Sequence, residues 1–379
     1  PEYEPLKQWI TAEGIDAATL AGAAVFTVGV PDRHAKNLRA AVHAAPAPTF
    51  GSHVLCNGVN VSPCDDGLSG IAHQRGCVFN AANTFDVIDG TYQAPAFQQG
   101  TRPYLRTQDG GKIDWGTSGI PAPAGTETMC FSVAVPKLAT PGAGFPVVIY
   151  GHGTGGSYTS FLQDGTAKRL TDLGYAVVSF DNVSHGRRQQ PFTDAADPSK
   201  WKDPGNVFFN LANPRASRDN IHQGTADLFH LVRLVRNTSA TLSRPLGAVK
   251  FDPAKVMYFG HSQGTIISPE FLATETDLAA ALMSGAGAEL ALSILNKKSP
   301  VDSSAVAGLF FGDRNLTRIH PMMGVFAMLF AEADSIAFAH RWVLDPALRD
   351  DRPLPLMHVV GVGDSFTPDP TQAAQLRAS

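Results

Sequence analysis

The sequence lacks any surplus of basic charge. Thirty lysines and arginines face 34 aspartates and glutamates, a formal net charge of −4, and only 17% of residues are charged. With no basic patch and no charged run, neither nucleic-acid binding nor an interaction tail is expected. Long apolar runs are missing as well. The longest, Pro321 to Ala331, falls far short of the ~20 residues a membrane span needs. There is no repeat or low-complexity tract. Zinc signatures are also absent: no CxxC spacing occurs, no HExxH occurs, and His222 and His230 read as ordinary helix residues. No metal and no cofactor is therefore expected.

Cysteine is sparse, and its placement is informative. Cys56, Cys64, Cys77 and Cys130 all lie within the first 130 residues, clustered in a Gly/Asn/Ser/Pro-rich stretch. An even count so clustered predicts two disulfides and an oxidising, extracytoplasmic location, whether secreted, periplasmic or surface-anchored. Three connectivities are open, of which Cys56–Cys64 with Cys77–Cys130 is preferred. The chain starts at Pro1, and a leader removed ahead of it is the expectation.

What the chain does have is glycine (36) and proline (27), hence many turns and shaped loops. Residues 1 to about 90 combine a β-like run, Ala23 to Val30, a helical pattern, His34 to His43, and the Cys-rich loop. They read as an N-terminal extension or subdomain. Residues 91–379 read as the main domain. Thr128–Val135, Pro146–Tyr150, Tyr175–Phe180, Val256–Phe259, Ala279–Met283 and Leu354–Val360 have strand length and composition. Between them lie a helical stretch, Tyr158 to Leu173, stopped at Gly174, and an amphipathic helix over 214–236. The latter has Asn213 as N-cap and Pro214 at its first position. Strands alternating with helices predict an α/β fold, a mostly parallel sheet with helices on both faces. The apolar stretch within 286–352 is read as a helical cap over the site.

Two glycine-bearing motifs carry the chemistry. Gly260-His261-Ser262-Gln263-Gly264 fits G-x-S-x-G, follows a strand directly and opens the apolar helical segment Thr265–Leu272. A serine on such a sharp turn is pushed above the sheet, and the helix N-terminus behind it favours developing negative charge. The Gln263 N–H is then placed to donate to an oxyanion. The second motif, His152-Gly153-Thr154-Gly155-Gly156-Ser157, follows the strand ending at Tyr150. Its glycines leave backbone N–H groups free, and Thr154 or Gly155 is the expected second donor. The loop lacks the Lys-Ser/Thr ending of a phosphate-binding P-loop. His152 is read as a structural hydrogen-bonding residue, as are Asp181 and His185 in the loop after Phe180.

An HGTGG loop after one strand and GHSQG after a later one resemble the α/β-hydrolase superfamily, in its extracytoplasmic bacterial esterase/lipase-like branch. The resemblance covers about residues 126–379. It implies a triad in the order Ser, acid, His along the chain. Asp364, in Gly361-Val362-Gly363-Asp364-Ser365-Phe366-Thr367-Pro368, resembles the family's G-x-x-D-x-x-x-P acid loop, with Glu289 as the fallback. A carboxylate there would fix the tautomer of the histidine base. No histidine follows Asp364, which departs from the family's pattern. Two readings compete: the base lies on an associated C-terminal piece of the same gene product, or His320, His340 or His358 serves. His358 is disfavoured because it sits inside a strand run.

The expected activity is hydrolysis of a carboxylic ester, small-molecule or polymeric, through an acyl-enzyme on Ser262. The apolar cap and low charge favour a hydrophobic acyl or aryl group. Peptidase or amidase action with the same triad is the nearest alternative, and a non-catalytic scaffold the next.

Overall fold

Continuous runs of β-branched and aromatic residues can sit in a sheet only where both faces are covered, and the central runs of this chain do so. The computed structural model describes residues 3–22, 30–64, 76–189 and 203–379. Of the β-like run Ala23 to Val30, only Val30 is among them. The structure divides into two units, Pro1–Val30 and Pro31–Ser379. The first holds a helix, Glu4–Ala12, with no buried residue, and a 3₁₀ turn, Ala17–Thr19, capped by Asp16.

The second unit is built on an eight-stranded sheet. Its strands are β1 (Phe50–Leu55), β2 (Phe85–Ala96), β5 (Gly125–Pro136), β6 (Phe145–Gly151), β7 (Ala176–Phe180), β8 (Phe251–His261), β9 (Ala280–Ser284) and β10 (Leu356–Val359). A separate two-stranded ribbon pairs β3 (Gln98–Gly100) with β4 (Gly110–Ile113). The sheet order is β1-β2-β5-β7-β6-β8-β9-β10. β1, β2, β5 and β7 are joined antiparallel, and β7, β6, β8, β9 and β10 run parallel. The mostly parallel sheet with flanking helices expected from the sequence is present. The first strand, residues 50–55, lies within the stretch read as an extension, and the second, residues 85–96, crosses its boundary at about residue 90.

Helix Pro214–Arg236 begins as expected: Asn213 accepts the Ala216 N–H, with Pro214 at the first position. Its amphipathic reading needs correction, because nearly every residue from Ala216 to Val235 is buried. The sheet takes one side, and β4 and helix Pro31–Ala44 cover others. Its polar residues are accommodated by tying distant backbone: Gln223 accepts the Phe97 N–H (2.7 Å), and Asp219 accepts that of Ile113 (2.6 Å). The stretch Tyr158–Leu173 is not one helix but two, Ser160–Gln163 and Thr166–Asp172. The break is at Gly165, whose φ of +84° suits glycine. Likewise Thr265–Leu272 divides into Gln263–Ile266 and Pro269–Thr274, because Pro269 cannot continue the first helix. The insertion after β9 is helical: Leu290–Asn296, Ser303–Phe311 and Pro321–Phe330. No helix among the described residues is long and apolar enough to cross a membrane.

All four cysteines are bonded, but the preferred connectivity is wrong: the pairs are Cys56–Cys77 and Cys64–Cys130. Register explains it. Cys56 lies beside Val87 on β2, its N–H bonded to the Val87 carbonyl, while Cys64 has moved on to Gly90. There it meets Cys130, which sits on β5 opposite Thr91. The Cys64–Cys130 pair closes a loop of 66 residues, and such a crosslink is worth about 4 kcal/mol by loop entropy. The double variant Cys64→Ala/Cys130→Ala is therefore expected to lose stability of that order in urea denaturation.

Candidate active site

Ser262 occupies the junction of β8 and helix Gln263–Ile266 with φ +50° and ψ −112°. A side chain at positive φ costs on the order of 1–3 kcal/mol, so the surroundings must impose it. They do so by contact between glycines. A Cβ on Gly264 would lie 2.2 Å from the Gly151 carbonyl oxygen, and one on Gly151 would lie 2.4 Å from the Tyr258 hydroxyl. The helix therefore starts almost in contact with the end of β6. Three hydrogen bonds pin the turn: Gly264 N–H to His152 O (3.1 Å), Tyr258 O–H to Gly264 O (2.6 Å) and Ser262 N–H to Ser284 O (2.9 Å). Ser262 itself is half-buried beside Gly153, where an added Cβ would lie 3.3 Å from the serine Cβ.

The 152–157 loop is braced from behind by a layer that sequence reasoning caught only in part. His152 is fully buried. Its Nε2 accepts the Asn182 N–H (3.0 Å), which leaves the proton on Nδ1 to donate to Gly153 O (2.8 Å). Asn182 Nδ2 donates to the His152 carbonyl (2.7 Å), and Asp181 accepts the Tyr158 N–H (3.1 Å). Asn182 was missed; its one signal in the sequence is a polar residue two positions after the buried run ending at Phe180. Behind it Arg188 donates to Asp181 O, Asp227 and Glu127. Burial opposes the Arg188 charge, but Asp227 and Glu127 outweigh it and hold the guanidinium above its ordinary pKa.

His185 decides between the two loop donors. Its Nε2 accepts the Gly155 N–H (3.0 Å) while its Nδ1–H donates to Val183 O (2.9 Å). The Gly155 N–H is thus engaged. Neither Thr154 nor Gln263 has a partner for its N–H among the described residues. Burial, and then the adjacent His152 ring, pull His185 from its ordinary value down to about 3. Below pH 6.5 the unfolded chain takes up a proton that folded His185 refuses. Its contribution to stability is therefore complete above pH 6.5 and lost as pH falls toward 3. His185→Gln keeps an acceptor for Gly155 but cannot titrate. In urea denaturation between pH 6.5 and 4, its stability should fall less steeply than that of the parent, by up to about 1.4 kcal/mol per pH unit. Equal slopes would refute this.

Asp364 follows β10 in a tight turn. Its Oδ1 accepts the N–H groups of Phe366 (2.7 Å) and Thr367 (3.1 Å), while Oδ2 has no donor among the described residues. The turn is joined to the Ser262 side through β9: Thr367 Oγ1 donates to Gly285 O (3.1 Å), next to the Ser284 carbonyl that holds Ser262. Glu289 is committed elsewhere, its carboxylate 2.8 Å from Arg318. Among the described residues no imidazole is hydrogen-bonded to Ser262. His320 caps helix Pro321–Phe330 through Nδ1 and lies 3.4 Å from Asp313. His340 lies in a 3₁₀ turn, Ala339–Arg341. His358 lies on β10 with Nε2 3.3 Å from Ser379 Oγ.

No protein-family model and no curated protein matches the chain by sequence. Solved structures do match in shape. An acetyl xylan esterase from Paenibacillus sp. R4 superposes over 94% of this chain and 86% of its own, with a TM-score of 0.52 at 14% identity. Acetyl xylan esterase 1 from Thermoanaerobacterium sp. JW/SL YS485 does so over 92% and 83%, with a TM-score of 0.51 at 15% identity. The chain has the α/β-hydrolase fold. Within that α/β-hydrolase fold, the Ser262 turn has the geometry of a nucleophile elbow, at the C-terminal end of a central strand.

Proposed function

We propose that the protein is a serine hydrolase of carboxylic esters. One observation carries this reading: Ser262 stands at positive φ between two segments, each offering a free backbone N–H, Gln263 from the helix start and Thr154 from the loop after β6. In the step this arrangement suits, Ser262 Oγ bonds to the ester carbonyl carbon as its proton passes to a base. The carbonyl oxygen becomes an oxyanion between the Gln263 and Thr154 N–H groups. Collapse releases the alcohol, which takes up the proton, and water then cleaves the acyl-enzyme to the acid. Asp364, with Oδ2 open, is the carboxylate that would orient the base.

The base is read as an imidazole on an associated piece of the same gene product, seated along the outer edge of β10. Two features support this. His320 faces Asp313, His358 faces Ser379, and no imidazole among the described residues is hydrogen-bonded to Ser262. β10, at the end of the sheet order, exposes Met357 and Val359, next to Val360 and Val362. Ester substrates fit the acetyl xylan esterases that share the fold. A hydrophobic acyl or aryl part fits the insertion after β9, which exposes Leu309, Phe310, Val325 and Met328. The two disulfides fit an extracytoplasmic setting.

A fluorophosphonate probe tests the nucleophile directly. The adduct is expected on the tryptic peptide bearing Ser262, and an unlabelled peptide in a sample that hydrolyses p-nitrophenyl esters would refute the assignment. A series of p-nitrophenyl acyl chain lengths then reads the acyl preference, with longer chains favoured.

A further inference from the structure

Four helices that share no sequence neighbourhood bring a second cluster together, with no residue in common with the Ser262 site. His34 comes from helix Pro31–Ala44, His222 from helix Pro214–Arg236, Glu270 from helix Pro269–Thr274, and Glu332 from just beyond helix Pro321–Phe330. One ligand atom each from His34, His222 and Glu332 lies within 4.8 Å of the other two. His222 is completely buried, and its Nδ1 is 2.6 Å from Glu270 Oε1. That contact places a proton on Nδ1, and Nε2 has no hydrogen-bond partner among the described residues. The Nδ1 atom of His34 is in the same position: buried, 3.2 Å from Glu332 Oε2, but not aligned for a hydrogen bond.

Lone pairs that converge without hydrogen-bonding one another are what a cation requires and what a hydrogen-bond network avoids. Leaving a buried acceptor unsatisfied costs about 1–3 kcal/mol. A tetrahedral zinc site, with bonds of about 2.0–2.2 Å, sets its ligand atoms roughly 3.4 Å apart, close to the His34–Glu332 separation. The charge also fits. Glu270, Glu332 and Asp219 face the guanidinium of Arg218, which pairs with Asp219 and Glu332. This leaves a surplus of negative charge for a dication to balance. The rings are fixed as well: Trp115 stacks on His34 at 4.2 Å and meets His222 edge-on at 5.5 Å.

We propose that His34 Nδ1, His222 Nε2 and the Glu332 carboxylate bind a divalent transition metal such as Zn²⁺. Glu270 orients His222 from behind, the arrangement that sharpens imidazole as a ligand. The metal joins the end of the insertion to the long central helix and to helix Pro31–Ala44, so its role is to hold the fold. The sequence hides the site because its three ligands stand at positions 34, 222 and 332, with no short spacing to mark them.

The test uses the whole chain, stripped with a chelator, then titrated with Zn²⁺ by calorimetry and with Co²⁺ by visible absorption. One equivalent per chain is expected, with the strong ligand-field bands of low-coordinate cobalt and a rise in melting temperature. His34→Gln and Glu332→Gln, both at partly exposed positions, should fold and bind at least about 100-fold more weakly, and Glu270→Gln about 10–100-fold more weakly. Ser262→Ala should bind as the parent does, so the result is independent of the hydrolase reading. Substoichiometric binding by the parent, or unchanged affinity in both His34→Gln and Glu332→Gln, would overturn the proposal in favour of a purely ion-paired cluster.

Discussion

Ser262→Ala is expected to abolish ester hydrolysis while leaving the melting temperature unchanged. Alanine keeps the same Cβ at the same positive φ, and none of the three hydrogen bonds pinning the turn uses the hydroxyl. The fold should not register the change. The chemistry should, because no other described residue offers a nucleophile between the Gln263 and Thr154 N–H groups. Loss of a triad nucleophile lowers kcat by roughly 10⁴–10⁶-fold, and donors left without it preserve only weak catalysis over water. Measured with p-nitrophenyl esters at saturating concentration, the drop should appear in kcat rather than KM. A variant retaining a tenth of the parent rate would remove Ser262 from the mechanism.

The second large effect is on stability. Gly264→Ala places a methyl group 2.2 Å from the Gly151 carbonyl oxygen and 2.7 Å from its carbonyl carbon. Backbone cannot swing aside as a side chain can, and here it is held on both sides. The Gly264 N–H is bonded to His152 O, and its own carbonyl to Tyr258 O–H. The start of the helix would have to lift away from β6. Overpacking of this kind costs about 3 kcal/mol or more. Gly155→Ala is the control: φ there is +79°, but an added Cβ meets nothing within 4 Å. Only the left-handed backbone is then penalised, on the order of 1 kcal/mol. Chemical denaturation of the two variants should therefore separate them clearly. Near-equal losses would mean that the contact between β6 and the helix is softer than the geometry implies.

What the sequence made legible follows from range. The parallel strands were readable because burial on both faces writes an uninterrupted apolar run, as in Val147-Val148-Ile149-Tyr150 and Val256-Met257-Tyr258-Phe259. The start of the long helix was readable because Asn213 and Pro214 act within one turn. Its complete burial was not, since Asp219, Asn220 and Gln223 look solvent-facing until the distant backbone of Ile113, Phe208 and Phe97 partners them. The disulfide pairing depended on the β2–β5 register, which no spacing between cysteines records. At the site, both glycine motifs could be read from local pattern. The choice between Thr154 and Gly155 could not, because it depends on His185 reaching back across thirty residues to claim one N–H.

The Cys64–Cys130 bridge packs against Tyr158, whose amide is held by Asp181 at the end of the loop that carries Thr154. Covalent oxidation state and the shape of that loop are thereby coupled. Protein made in a reducing cytoplasm can assemble its sheet and still present Thr154 on a loosened support. Yield of soluble material is then a poor guide to yield of competent sites, and active-site titration after oxidative refolding is the quantity to compare between expression hosts.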